Sequence, residues 1–416
     1  MAALPALAFL ALTSLASAQA IDHARARLYF AEAHSVCSRD AGKLWGVSLC
    51  GPMMFVDPKT RALVANQPDA NGQLQRDGDL WSGNFPKEFN IANTSVVWSG
   101  TRWTQLRWPV GGSDVTSRQA LLLHEMFHRV QEQLHFATAS PSNAHLDSAQ
   151  GRVLLRAEMR ALRQALLTNG SARKQAARDA LTFRAMRRVV APEADKEETA
   201  LELNEGLCEY TGIRLSRPDS RKQALAAADA LHAADSSDSY VRSFAYSTGP
   251  AYGLLLDALH PTWRKEILAH SQGLEKALAA TLRFSFNASS VPISDYGLAS
   301  IRAEEDARRR KQEARLADAK ARFVDGPTLV IPLHKAQVQF DPNTLYPFGS
   351  NGTVYPEIRI ADDWGILTVK NGGALLAPDW SKVTVAASGE GWDLELKPGW
   401  SKKPGLRAGD LTIVRE

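Results

Sequence analysis

Two histidines and a glutamate stand within one pentapeptide, His124-Glu125-Met126-Phe127-His128. In a helix, residues four apart share one face, so both imidazoles can bind the same cation. Glu125 lies about 100° around the helix axis from His124, where it can reach a water on that cation without being a ligand. The neighbouring residues are mostly Leu, Met and Phe, which is typical of a buried helix. Because buried polar side chains require partners, the pattern predicts a metal-binding helix.

A second motif, Asn204-Glu205-Gly206-Leu207-Cys208-Glu209, places two acids four residues apart in another predicted helix. Two carboxylates on one buried face repel each other unless a cation or an imidazolium lies between them. A metal site uses such a pair when one carboxylate binds the ion and the other orients a ligating histidine. The alternative is a helical core that pairs the two histidines with carboxylates and binds no metal. The second motif favours the metal site.

Together the two motifs resemble those of the gluzincin metallopeptidases, the thermolysin- and aminopeptidase-like group. The resemblance implies one zinc ion held by His124, His128 and Glu205. It further implies that Glu125 activates a water molecule and that Glu209 orients a histidine from behind. The implied activity is peptide hydrolysis, so the expected partner is a peptide or protein substrate. The match covers roughly residues 115–259 and does not extend to either β-rich end of the chain.

The spacing between the two motifs departs from that group, because 76 residues separate His128 from Glu205. We interpret the extra length as an inserted pair of helices over Arg152–Val189. Two closer acids, Asp147 and Glu158, are therefore rival third ligands. Only Glu205 has a second acid four residues later and an Asn-Glu-Gly context, so it is the favoured ligand.

A tyrosine downstream of the second motif is a candidate for the hydrogen-bond donor that peptide hydrolysis requires opposite the metal. It lies in Tyr246-Ser247-Thr248-Gly249-Pro250, where Pro250 is expected to start a helix. The Tyr-x-x-Gly pattern resembles the segment that holds the oxyanion tyrosine in the aminopeptidase branch of the gluzincins. The alternative is an aromatic side chain packed at a helix entrance. Tyr252 is a second candidate for the donor, and His232 and His260 are more distant ones.

Three functional hypotheses follow from these residues. The favoured one is an exported zinc metallopeptidase in which Glu125 acts as general base. A second is a non-catalytic exported binding protein whose zinc site is structural, and a third is a zinc hydrolase of a non-peptide amide or ester. Glu125 favours an enzyme over a structural site, because a structural site has no use for an unliganded acid beside the metal. The sequence does not separate peptide hydrolysis from the third hypothesis.

The first 20 residues carry no charged side chain, and their apolar centre is too short to span a membrane. Ala16-Ser17-Ala18 fits the small-x-small pattern of signal peptidase sites. We therefore expect a signal peptide over 1–18 and a periplasmic or extracellular mature chain without a transmembrane span; a buried N-terminal helix or an uncleaved anchor is the alternative. Export permits a disulfide between Cys37 and Cys50, the alternative being two separate thiols. Cys208 is expected to be a buried thiol.

Hydrophobic periodicity predicts an α+β fold whose N-terminal part is β-rich and packs on a helical part that carries the metal site. The expected strands between residues 44 and 110 are Val47–Leu49, Met53–Val56, Ala62–Ala65 and a hairpin around Ser99-Gly100. The helical period begins near Val115, where Thr116 or Ser117 can cap the helix that carries the pentapeptide. We interpret four tryptophans between Trp81 and Trp108 as sheet core rather than as a carbohydrate platform.

The chain is expected to divide into a metallopeptidase domain over 19–300, a charged connecting helix over 301–325 and an all-β domain over 326–416. Short alternating strands after Gly326 indicate the last of these. The net charge of +4 over 416 residues is too weak to indicate a nucleic-acid partner. The sequence also contains no glycine-rich phosphate-binding loop, so nucleotide chemistry has no support.

Overall fold

The computed structural model of the chain describes residues 21–287, 295–341 and 344–416. The predicted signal peptide, 1–18, lies outside these residues. The fold is α+β, as predicted, with an N-terminal sheet, a helical middle part and a C-terminal region of strands. The chain divides into two compact units between Arg302 and Ala303. No helix in the described residues is long and apolar enough to cross a membrane.

The N-terminal part of the first unit opens with a helix that the sequence analysis did not predict, α1 (His23–Asp40), capped by Asp22. A six-stranded sheet follows in the order β3-β4-β2-β1-β6-β5. Its strands are β1 (Met53–Val56), β2 (Ala62–Ala65), β3 (Gln75–Asp77), β4 (Leu80–Asn84), β5 (Thr94–Trp98) and β6 (Thr101–Arg107). The expected hairpin is confirmed: β5 and β6 are antiparallel, and Ser99 and Gly100 turn between them with φ of 50° and 73°.

The loop after α1 corrects one prediction and settles one alternative. The predicted strand Val47–Leu49 is wrong, because this segment follows Gly42 and Gly46, whose φ of 78° turns the backbone out of an extended path. Cys37 and Cys50 form a disulfide that ties the end of α1 to the start of the sheet. A disulfide is typical of oxidising compartments and is compatible with export.

The sheet separates two apolar clusters. Successive residues of β1 point to opposite faces, so Phe55 faces the helices while Met54 and Val56 face the outer cluster. Trp98 and Trp103 are buried in the outer cluster, and Trp108 is buried on the helical side. The interpretation of these tryptophans as core is therefore confirmed.

The helical middle part begins with α2, which carries the pentapeptide. Its N-cap is Asp114, whose carboxylate accepts hydrogen bonds from Ser117 N–H and Oγ–H. The predicted cap at Thr116 or Ser117 is therefore wrong, because the acid before them caps the helix earlier. The helices are α2 (Val115–Val130), α3 (Ala149–Leu167), α4 (Gly170–Val190), α5 (Ala194–Leu201), α6 (Leu207–Ser216), α7 (Ser220–Ala234), α8 (Phe244–Leu259), α9 (Trp263–His270) and α10 (Leu274–Leu282).

Two irregularities occur in the helices that carry the second motif and the tyrosine. α5 continues into α6 through a π-helical turn, Glu202–Gly206, a rare conformation that is frequent at functional sites. α8 begins at Phe244, and Pro250 lies inside it, so the predicted helix start at Pro250 is wrong. The preceding residues already have helical geometry, and Pro250 only removes one N–H from the helix interior.

Glycines let these helices approach each other closely. A Cβ added to Gly249 would lie 2.4 Å from the Cα of Gly206, and a Cβ added to Gly212 would lie 2.4 Å from the carbonyl oxygen of Ala120. The second motif is therefore packed backbone to backbone between α2 and α8. No larger residue fits at these contacts without moving a helix.

The second unit contains most of the charged helix α11 (Leu298–Lys320) and two antiparallel-rich sheets, ordered β16-β17-β7-β14-β13-β10-β9 and β15-β12-β11-β8. The strands are β7 (Thr328–Pro332), β8 (Gln337–Phe340), β9 (Tyr346–Pro347), β10 (Thr353–Tyr355), β11 (Ile358–Asp362), β12 (Gly365–Val369), β13 (Ala374–Leu376), β14 (Lys382–Ala386), β15 (Trp392–Leu396), β16 (Trp400–Pro404) and β17 (Leu411–Arg415). One apolar cluster contains Leu329 and Val383 from the larger sheet and Ile360 from the smaller, so the sheets pack face to face.

Candidate metal centre

Helix α2 presents its histidines and glutamate inside the first unit. His124 and Glu125 are each 4% exposed, and the side chain of His128 is 12% exposed. The helix is held in place by apolar residues such as Leu122 and Phe127, which are fully buried in the main core cluster. Burial on this scale requires polar partners for all three functional side chains.

Glu205, in the π-helical turn, points between the two imidazoles. Its Oε2 atom lies 3.5 Å from His124 Nε2 and 3.3 Å from His128 Nε2. The imidazole ring centroids lie 5.0 Å apart. The structure thus brings together the three residues that the resemblance implied as metal ligands.

Hydrogen bonds hold the other nitrogen of each ring. His124 Nδ1 lies 2.9 Å from Glu209 Oε2, and His128 Nδ1 lies 2.7 Å from Gln131 Oε1. Carboxylate and amide oxygens can only accept, so each Nδ1 carries a proton and donates it. In the neutral rings the free lone pair is therefore on Nε2, the atom that faces Glu205. Glu209 lies where its implied role, orienting a histidine from behind, requires it.

The pKa values in this group favour a protonated His124 beside an ionised Glu205. Burial opposes protonation of His124, but its hydrogen bonds to Glu205 and Glu209 outweigh burial and raise the pKa of His124 to about 10. Burial also opposes ionisation of Glu205, yet hydrogen bonds from His124 and His128 hold the pKa of that carboxyl well below its usual range. The two shifts have one common cause, the pairing of a protonated imidazole with the Glu205 carboxylate.

Glu125 differs from the other acids because one of its oxygens has no partner. Its Oε2 atom is buried and makes no hydrogen bond to the described residues. Burial raises the pKa of Glu125, although the charges of His124 and His128 oppose this shift. An unpaired buried polar group costs about 1–3 kcal/mol. A water or an ion between Glu125 and the histidines would give this atom a partner.

Tyr246, in the first turn of α8, lies against the same group. Its ring is parallel to that of His124, with a centroid separation of 5.7 Å. Burial, the charge of Glu205 and a hydrogen bond to that carboxylate raise the pKa of Tyr246 well above its usual range. Arg242, one turn earlier, is largely exposed and places Nη2 3.8 Å from Glu205 Oε1. The tyrosine hydroxyl therefore points into the site as a protonated donor.

Cys208 offers a second way of grouping potential ligands. Ligand atoms of His124, His128 and the buried Cys208 lie within 4.8 Å of one another. The thiol is 3.3 Å from His128 Nδ1, not Nε2, and it donates to the carbonyl oxygen of Asn204 at 3.0 Å. Because Nδ1 is already committed to an amide oxygen, the ring faces Glu205 with its free nitrogen rather than Cys208. By the mutual distances of their ligand atoms, the buried candidate metal ligands are His124, His128 and Cys208, and Glu205 is the residue that faces both Nε2 atoms.

The rival residues from the sequence lie in other environments. Asp147 accepts a hydrogen bond from Ser239 at 3.5 Å, and His260 contacts Glu266 at 2.6 Å. His232 lies in the last turn of α7. Tyr252 is fully buried and donates to Glu158 Oε1 at 2.8 Å. Glu158 belongs to a separate network of buried ion pairs, and Tyr252 donates to that network from outside it.

That network, which we call the arginine cluster, consists of Glu158, Arg184, Arg187, Glu198 and Glu202. Arg184 contacts Glu158 at 2.8 Å and Glu202 at 2.6 Å. Arg187 contacts Glu198 at 2.5 Å and Glu158 at 2.7 Å. All five side chains are at most 1% exposed. The helices α3 and α4, interpreted as an insertion, thus supply part of a buried ionic core.

Sequence reasoning missed Gln131 and the arginine cluster. Gln131 stands three residues after His128, a spacing that places both on one helix face, and this was the only local signal for it. The arginines of α4 stand in a run of mixed polar residues that is typical of a solvated face. Their burial depends on the helices that surround them, which the local sequence does not encode.

No protein-family model, curated protein or solved structure matches this chain. The case for a function therefore depends on the chemistry of the candidate centre.

Proposed function

We propose that the first unit is a zinc-dependent hydrolase of peptide bonds, of the gluzincin type that its motifs resemble. The observation that carries this proposal is the convergence of two histidine Nε2 atoms on one oxygen of Glu205, at 3.5 and 3.3 Å. Ligand atoms at about 2.0–2.1 Å from a tetrahedral zinc ion lie roughly 3.4 Å from one another. The distances from Glu205 Oε2 to the two Nε2 atoms therefore match those between ligands of one zinc ion.

Three protein ligands suit a catalytic zinc, because they leave a position for water or substrate. When bound, zinc supplies a Lewis acid that polarises water and the substrate carbonyl. Glu125 is placed to accept the proton that the attacking water loses, because its Oε2 is buried and without a partner. The same carboxyl can then deliver that proton to the leaving amine.

Two further residues support the chemistry from fixed positions. Glu209 holds His124 through Nδ1, which keeps Nε2 directed at the ligand position. Tyr246 keeps its hydroxyl protonated in the site and can donate to the oxygen on which negative charge develops. The natural substrate class in this proposal is a peptide or protein.

The test is metal analysis of the purified chain combined with a broad peptide-library digest. We expect about one zinc per chain, its loss in His124→Ala or His128→Ala, and peptide cleavage that a chelator abolishes. Substitution of Glu205 with alanine should also strip the metal, whereas Glu158→Ala and Asp147→Ala should retain it. A wild-type chain purified without chelator that contains no transition metal contradicts the proposal.

A structural metal site is the second candidate, and the position of Cys208 favours it. If the ion were held by both histidines, Glu205 and the thiol, four protein ligands would close the site. Under that alternative, Cys208→Ala strips the metal and no peptide is cleaved. Under the catalytic proposal, Cys208→Ala keeps the metal and the activity. The thiol contacts Nδ1 of His128, whereas the metal would bind Nε2.

We also propose that the mature chain is periplasmic or extracellular. The disulfide between Cys37 and Cys50 supports this, because such bonds persist in oxidising compartments. Determination of the N-terminal residue of the exported chain tests the proposed cleavage after Ala18. Recovery of the uncleaved chain in the cytosolic fraction, with both thiols free, contradicts it.

A further inference from the structure

We infer that Gln131 is a positioning residue that couples His128 to the π-helical turn carrying Glu205. The inference rests on the proposed function, because it concerns how two of the proposed ligands keep their separation. Gln131 is fully buried at the C-cap of α2. It is one side chain that contacts both ligand-bearing elements.

The contacts of Gln131 leave it a single orientation. Its Nε2 lies 2.7 Å from the carbonyl oxygen of Asn204 and 3.3 Å from that of Leu203. Backbone carbonyls only accept, so the amide NH2 must face the turn and the amide oxygen must face His128. The His128 ring then has to donate through Nδ1, at 2.7 Å.

The direction of these bonds selects the ring nitrogen that is left for a metal. With its proton on Nδ1, neutral His128 has its lone pair on Nε2, 3.3 Å from Glu205 Oε2. The carbonyls that Gln131 holds belong to the two residues directly before Glu205. The amide group of Gln131 therefore sets both the tautomer of His128 and the position of Glu205.

The π-helical turn makes this connection possible. In that turn Leu207 N–H bonds to the carbonyl oxygen of Glu202, five residues back. The carbonyl of Asn204 accepts from two side chains, Gln131 and Cys208. Gln131, at the end of α2, and Cys208, in α6, both donate to this turn, and both lie close to His128 Nδ1. The amide oxygen of Gln131 is the nearer partner of that nitrogen, at 2.7 Å against 3.3 Å for the thiol.

The first experiment measures zinc affinity of the full chain by competition with a chromogenic chelator. Gln131→Met keeps the volume of the side chain and removes its hydrogen bonds to His128 and to the carbonyls of the turn. Because loss of a partner that orients a ligand typically weakens metal binding about 10- to 100-fold, we expect a loss of that size. The visible spectrum of the cobalt-substituted variant should also change, since the ligand geometry is no longer held.

Gln223 provides a matched control within the same unit. It is also buried, 3% exposed, and its Nε2 donates to the carbonyl oxygens of Arg214 and Arg217 at 3.2 and 2.6 Å. Gln223→Met should lower the melting temperature of the metal-free chain about as much as Gln131→Met, yet leave zinc affinity unchanged. If Gln131→Met also leaves zinc affinity within about threefold of wild type, Gln131 is structural only and the inference is wrong.

A conservative variant separates the two halves of the connection. Gln131→Glu keeps an acceptor for His128 Nδ1 but places a carboxylate oxygen against the carbonyls of the turn. We expect zinc affinity below that of wild type but above that of Gln131→Met, because His128 keeps its acceptor while the carbonyls before Glu205 lose their donor. The melting temperature of the metal-free chain should also fall. Zinc affinity equal to that of wild type in Gln131→Glu overturns the inference, and this variant decides the question if Gln131→Met does not fold. Failure of the wild-type chain to bind zinc instead overturns the proposed function itself.

Discussion

The metal-site cluster (His124, Glu125, His128, Glu205, Glu209) and the arginine cluster are two buried ionic groups in one unit, and their geometry differs. In the arginine cluster the shortest contacts of each arginine with its carboxylates lie between 2.5 and 2.8 Å. In the metal-site cluster the two contacts that converge on Glu205 are 3.3 and 3.5 Å. One of the acids there, Glu125, has an oxygen without a partner.

In the arginine cluster the opposite charges pair directly with one another. In the metal-site cluster they surround a position that a bound ion can occupy. Glu158 Oε2 and Arg187 Nη1 miss hydrogen-bond geometry, yet they still face each other at 2.7 Å. Glu125 Oε2 faces no such cation among the described residues. Burial and charge alone therefore do not mark a functional site. What distinguishes the metal-site cluster is the longer contacts to Glu205 and the unpaired Glu125 Oε2 among groups that can bind a cation.

The largest expected effect is on turnover. Glu125→Gln should reduce kcat about 100- to 10,000-fold while zinc content and the circular dichroism spectrum stay unchanged, because an amide cannot accept the proton of the attacking water. Glu132→Gln is the matched control, since Glu132 follows the same helix but is exposed and pairs with Arg102. If Glu125→Gln turns over as fast as wild type, Glu125 is not the general base, and the unpaired oxygen does not distinguish the metal-site cluster from the arginine cluster.

The arginine cluster should respond in stability rather than in activity. Arg187→Met leaves Glu198 and Glu158 buried without one cation, which should lower the free energy of unfolding by about 3–5 kcal/mol. Burial opposes ionisation of Glu198, but the charge of Arg187 outweighs it and lowers the pKa of Glu198. The contribution of this pair is therefore full above pH ~4.3 and declines as the pH falls below it.

Chemical denaturation at pH 7 and at decreasing pH measures this effect. Arg102→Met, which breaks an exposed pair on β6, should cost less than about 1 kcal/mol. Both variants should keep one zinc per chain. Loss of zinc from Arg187→Met with unchanged stability would show that the two clusters are one functional unit.

Tyr246→Phe removes the hydroxyl that lies against the metal-site cluster and should lower kcat on the order of a hundredfold, with zinc content unchanged. Tyr252→Phe removes a hydroxyl that donates to Glu158 of the arginine cluster. It should leave kcat unchanged and reduce stability by about 1 kcal/mol, because Glu158 loses a donor. Steady-state kinetics measures both variants. Unchanged kcat in Tyr246→Phe with a large loss in Tyr252→Phe would assign the donor role to Tyr252.

The smallest expected effect concerns Glu209, which contacts His124 without contacting the ligand position. Glu209→Ala should weaken zinc binding about 10- to 100-fold rather than abolish it. Glu209→Gln keeps an acceptor for His124 Nδ1 and should weaken binding less than Glu209→Ala does. Chelator competition measures both values, and equal zinc affinity in wild type and Glu209→Ala would show that the hydrogen bond has no positioning role.

The sequence was sufficient to predict which residues meet in the metal-site cluster. His124 and His128 are one helical turn apart, so their proximity follows from local geometry. Glu205 could be proposed because a second acid follows it at four residues and because it lies in an Asn-Glu-Gly context. The fold class followed from the change of hydrophobic period near Val115, and the hairpin at Ser99 from its turn residues.

The remaining features depend on contacts between distant segments. Gln131 contacts carbonyls that lie more than seventy residues away in the chain, and no local pattern encodes that contact. The buried positions of α1 have helical spacing, but most of them hold small or polar residues, such as Ala26, Ala33 and Asp40, so the hydrophobic signal is weak. Pro250 was assigned to a helix start by its usual preference, whereas packing around α8 extends the helix through it.

The contact between Gly206 and Gly249 requires that neither position carry a side chain. A single methyl group on Gly249 would stand 2.4 Å from the opposing Cα, so it would push α8 and Tyr246 away from the turn that carries Glu205. Alanine at this position would disturb the centre while every reactive side chain was still in place. Inheritance of the site therefore requires particular chemistry at some positions and the absence of any side chain at others.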